Sequence, residues 1–159
     1  MKKVFKILFF ALLAYALFTL DKTVSANSIN RISMDIFVDS NGNANVTETW
    51  NCYSNQSTEI YHPYYNLGNS RITNLSVSMD STQFETLSSW DTSASFDEKA
   101  YKAGINRVSN GVELCWGISE YGTNIYTVNY TITNFVSNLT DSQMIYWTLI
   151  PYDFSDSIG

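Results

Sequence analysis

The chain is short of the residues that most chemistry needs. Among its 159 residues there is one histidine, His62. That excludes any metal centre built on two or more imidazoles of this chain, and leaves a serine–histidine–aspartate arrangement resting on one residue. No Gly-x-Ser-x-Gly elbow accompanies it. The 9 Lys and Arg stand against 15 Asp and Glu, a net charge of −6, which gives nucleic acid nothing to hold. Only 2 prolines and 7 glycines are present, with no low-complexity linker and no internal repeat, and Glu, Lys and Ala are too scarce for a coiled coil. After Leu20 no apolar run is long enough to span a bilayer.

What is there is apolar, aromatic and small-polar. Hydrophobic residues make up 45% and aromatics 15%, enough for a core and against general disorder. Asn, Ser and Thr number 16, 20 and 15. Residues 1–26 read as a secretory signal: Lys2, Lys3 and Lys6, then the 14-residue apolar run Ile7–Leu20, then Val24, Ser25 and Ala26. As a helix that run rises about 21 Å, short of a ~30 Å hydrocarbon core, which favours cleavage after Ala26 over retention as an anchor. The remaining 27–159 segment carries 5 bases and 14 acids, or −9, and is expected to form one exported domain. An anionic membrane surface would repel it.

Period-two patterning dominates this segment. Ile125–Thr133 alternates Tyr126, Val128, Tyr130 and Ile132 with Thr127, Asn129 and Thr131. Similar alternation marks Ile32–Val38, Val46–Cys52, Leu75–Met79 and Leu114–Ile118. Met144–Ile150 is apolar on both faces apart from Thr148, as in a strand covered on both sides or placed in an interface. Between the first two strands, Asp39, Asn41, Gly42 and Asn43 favour a tight turn. They do not fit a calcium loop, which needs Gly at its sixth position and Glu at its twelfth. Ser95 and Glu98 have capping-box spacing for a helix of about two turns near 95–103, with Gly104 as its stop. Short strands with one short helix predict an antiparallel β-sandwich, loosely immunoglobulin-like.

Candidate site residues are few. His62 lies among Ile60, Tyr61, Pro63, Tyr64 and Tyr65, and reads as a loop histidine flanked by packing tyrosines. In that loop Tyr61, Tyr64 and Tyr65 are the best ligand-facing aromatics, while Trp116 and Trp147 read as core. Glu48 shares a strand face with Val46 and Trp50, so its carboxylate must be paired, hydrogen-bonded or neutral; Arg71 is one expected partner and a sheet-edge position is another. Cys52 and Cys115, 63 positions apart, allow either a disulfide worth about 3–4 kcal/mol or two buried thiols. Cys52 lies on the Trp50 face, whereas Cys115 alternates with Leu114 and Trp116, a parity that works against pairing. Nothing calls for a metal or a cofactor.

Several pieces in order carry a resemblance. Ile29–Asp39 precedes Gly42–Glu48; Glu113–Gly117 and Tyr126–Ile132 follow, and Asp141, Tyr146 and Trp147 come last. This order resembles a bacterial family of predicted membrane proteins, domain of unknown function 2207. The resemblance implies an export signal, an extracytoplasmic β-domain, then a membrane helix and a cytoplasmic tail, with Val46, Glu48, Trp116, Tyr130 and Trp147 marking the β-domain. It implies no catalytic residues. The chain stops at Gly159 before such a helix, as a fragment or a shortened secreted form would. The expected function is a non-enzymatic module at the extracytoplasmic face, contacting a cell-wall component, a protein partner or a second copy. A carbohydrate-binding module using Tyr61, Tyr64 and Tyr65 is the second reading, and a hydrolase built on Glu48 and another carboxylate the third.

Overall fold

A computed structural model describes residues 27–151 and Phe154; the expected signal, 1–26, lies outside the described residues. Two sheets face each other. The first has five strands in the order β1 (Ser28–Val38), β2 (Ala44–Ser54), β9 (Gly122–Thr133), β4 (Arg71–Met79) and β5 (Thr82–Gln83). The second has β3 (Glu59–Tyr65), β8 (Gly111–Gly117), β7 (Lys102–Val108) and β6 (Glu85–Thr86). Pairing is antiparallel except between β6 and β7, and a small ribbon joins β10 (Val136–Asn138) to β11 (Gln143–Ile145). The molecule is an antiparallel β-sandwich.

The alternation in sequence becomes alternation in burial. From Ala44 to Trp50, β2 buries every second residue, and Tyr126, Val128, Tyr130 and Ile132 of β9 do the same. These faces meet Ile60, Leu114 and Trp116 of the second sheet, and Trp50 sets its ring edge-on to Trp116 at 5.0 Å. The β1–β2 turn forms as its residues dictate. Gly42 takes φ +77°, and one Asp39 carboxylate oxygen accepts from the backbone of Asn41 (2.8 Å) and Asn43 (3.0 Å).

Three expectations need correction. The 60–65 segment is a strand rather than a loop. Pro63 is tolerated there because β3 is an edge strand, so a missing N–H costs no ladder bond on the free side. The helix, α1, covers only Phe96–Lys99, one turn, although the Ser95–Glu98 capping box is present. Gly104 is not its stop but lies in β7. It leaves room for Trp90, whose ring would stand 3.3 Å from an added Cβ. Finally, Met144–Ile150 is not a buried strand. Only 143–145 pair, and Met144, Ile145, Tyr146 and Ile150 are exposed.

The inner face of the second sheet packs on the first. Part of its outer face is covered by the 90–99 segment. Lys99 is buried there, its Nζ 2.8 Å from Glu59 Oε2 and donating to Thr92 O (2.7 Å) and Thr58 Oγ1 (3.0 Å). Trp90 Nε1 donates to the same Glu59 oxygen at 2.6 Å. Gly117 permits this approach, because a Cβ there would stand 1.9 Å from Lys99 O.

Candidate functional site

Among the described residues, a polar cluster built around Glu48 lies in the sandwich interior. The carboxylate has 0% exposure and sits on β2, a strand with neighbours on both sides. Neither Arg71 nor a sheet edge satisfies it. Trp50 Nε1 donates to Oε2 at 2.6 Å, His62 Nδ1 lies 3.0 and 3.1 Å from the two oxygens, and the Tyr130 hydroxyl donates to Oε1. Tyr64 reaches Oε1 at 3.4 Å and also bonds the Tyr130 hydroxyl. Arg71 instead donates to Ser70 O.

His62 is fully buried too, and its second nitrogen meets Leu149 O at 2.9 Å. A carbonyl only accepts, so Nε2 carries a hydrogen and Nδ1 shares one proton with Glu48. The imidazole therefore ties β2 to the segment that follows β11. Phe154 closes over the same spot, 5.1 Å from the His62 ring and 5.2 Å from Trp50. Burial alone would raise the Glu48 pKa. The hydrogen bond and charge of His62, with bonds from Tyr130 and Trp50, reverse this and hold it below the ordinary carboxylate value. Burial and the neighbouring Glu48 charge push both tyrosines well above the usual phenol range.

The three tyrosines separate. Tyr64 is 2% exposed and belongs to this cluster, so it cannot face a ligand as expected. Tyr61 and Tyr65 alternate with it and point to the outer side of β3, where Tyr65 is 39% exposed. Trp147 is half-buried rather than core, stacked on Phe135 at 5.6 Å and edge-on to Tyr64 at 6.1 Å.

Cys52 and Cys115 are free and buried, the second of the two readings. Cys52 faces the interior of the sandwich with Trp50. Cys115 lies on the other face of β8 from Leu114 and Trp116, under the 90–99 segment, so the two Cβ atoms diverge. Burial pushes the Cys52 thiol up to about 12 and raises Cys115 as well, helped by the Glu59 and Glu113 charges.

An open groove of about 740 Å³ lies beside this closed cluster. The 65–70 turn forms one wall, and Asn134 with segments 136–138 and 146–148 forms the other. Asn66 and Gly68 hold the turn at φ 56° each. Asn134 Nδ2 donates to Asn69 O (3.1 Å) and Ser70 Oγ to Asn134 O (3.2 Å), which locks the walls together. Among the described residues no lining residue is charged, and Tyr146 stands 88% exposed at the rim. Sequence reading missed this groove, since its walls lie some 70 positions apart. Of its lining residues, only Tyr65 stood among the expected ligand-facing aromatics, while Trp147 was expected in the core.

With this geometry, the family resemblance can be tested directly. The family described as "Predicted membrane protein (DUF2207) N-terminal domain" matches residues 28–154. The chain belongs to that family. No curated protein and no solved structure matches it. The family match spans β1 through the closing segment at Phe154, so the cluster and the groove both lie within the family's N-terminal domain. No helix among the described residues is long and apolar enough to cross a membrane.

Proposed function

We propose that this domain is a non-enzymatic binding module on the extracytoplasmic side of a membrane protein, and that the groove is its binding surface. One observation carries the reading. The groups suited to acid–base work, Glu48 and His62, have 0% exposure and spend their polar atoms on one another, on Trp50, Tyr130 and Leu149 O. Among the described residues, the open concavity beside them holds no carboxylate, histidine or amine. Chemistry needs a group that can touch substrate, whereas binding needs a preformed concavity with a few convergent polar groups. Family membership and the Lys2–Ala26 pattern support the extracytoplasmic placement.

The test incubates the full chain with isolated bacterial cell wall and measures both its retention in the pellet and the release of soluble fragments. Retention without release is expected. Absence of retention, or fragment release that stops in Glu48→Gln, would overturn the reading.

A further inference from the structure

Resting on the groove being a binding surface, we infer that it takes an uncharged oligosaccharide. The 27–159 segment carries 14 acids and 5 bases, yet among the described residues the groove has none of either on its walls. An anionic polymer would find no base to pair with there, and a cationic ligand no acid. What the walls present is side-chain amides, hydroxyls and aromatic faces. These are the groups that meet sugar hydroxyls by hydrogen bonding and the C–H faces of sugar rings by apolar contact.

The placement of those groups sharpens the inference. Asn66 and Asn69 are exposed on the turn wall, and among the described residues their side-chain amides make no hydrogen bond. Two donors and an acceptor pair on each are therefore open to a ligand. Asn134 and Asn138, by contrast, are engaged, to Asn69 O at 3.1 Å and from Gln143 Nε2 at 2.9 Å, and serve as fixed walls. Tyr65 and Tyr146 are exposed aromatics, and Trp147 is held by Phe135 and Tyr64. A rigid aromatic floor costs little ordering on binding. The volume falls within the range of about 300–1,000 Å³ usual for small-ligand sites.

Calorimetric titration of the full chain with tetra-N-acetylchitotetraose and cellotetraose tests this, alongside an oligogalacturonate and an uncharged tetrapeptide with blocked termini. Saturable binding of at least one neutral oligosaccharide is expected, with the other two inert. Tyr146→Ala and Asn69→Asp should each weaken it by about tenfold, while Phe37→Ala, at an exposed site away from the groove, should leave it unchanged. Circular dichroism of each variant shows that the fold is kept. If neither sugar binds, or the peptide or the charged sugar binds instead, the inference falls. Binding that ignores Tyr146→Ala and Asn69→Asp overturns it too. Wall retention that persists and still depends on Tyr146 would leave the broader reading standing.

Discussion

Glu48 is the residue on which the interior depends. Its oxygens are occupied by side chains from β2, β3 and β9, and His62 extends the contact to Leu149. Removing one partner of a buried pair leaves the other uncompensated, so Glu48→Leu should cost about 3–5 kcal/mol in urea unfolding. The pH dependence follows from the lowered pKa. A carboxylate whose folded value lies below its ordinary 4.5 gives its full stabilisation above that value and loses it as pH falls toward the folded one. The unfolding midpoint should therefore fall below about pH 4.5, and Glu48→Gln should flatten that acid limb. An unchanged limb would mean other carboxylates set it. The sequence marks Glu48 as exceptional because a carboxylate stands where alternation puts apolar residues. It cannot name the partners, since His62 and Tyr130 reach Glu48 only once two sheets have formed.

At the scale of elements, the legible strands are those buried on one face. β2 and β9 show period two because one side of each strand meets the core. β3 was illegible as a strand because nearly all its residues are buried and a proline interrupts it. β7 gave no signal because Gly104 sits where Trp90 covers it. Gly104 and Gly117 record close contacts whereas Gly68 records a turn, and substitution separates the two roles. Gly117→Ala drives a methyl into Lys99 O at 1.9 Å and should cost about 3 kcal/mol or more. Gly68→Ala meets nothing within 4 Å and strains only the backbone at φ +56°, about 1 kcal/mol. Thermal unfolding of the pair checks the order; equal losses would refute the close approach of the 90–99 segment.

At the scale of the whole molecule, two sheets with one face each inside explain the cysteines. Cys52 and Cys115 belong to different sheets and point to different sides of the second one, and both are free thiols. Ellman's reagent should find no reactive thiol in the native chain and two after denaturation without reductant. Recovery of none after denaturation would show a bridge. The sandwich class and family were legible because alternation and motif order survive in a single sequence. The groove was not, because its walls come from the 65–70 turn and the 134–148 stretch, which only the closed sandwich brings together.

The strand order also sets a timetable. β2 and β4 never touch along their ladders; each pairs with β9, which is not complete until Thr133. A chain emerging from its N-terminus can form the β1–β2 hairpin early, but its first sheet stays split until nearly all of it is available. Loop closure over that span comes before any ladder bond repays it, which slows folding. With β9 as the central strand, β1 and β2 on one side and β4 and β5 on the other stay separate until Thr133 is in place, and the first sheet then closes in a single step of assembly.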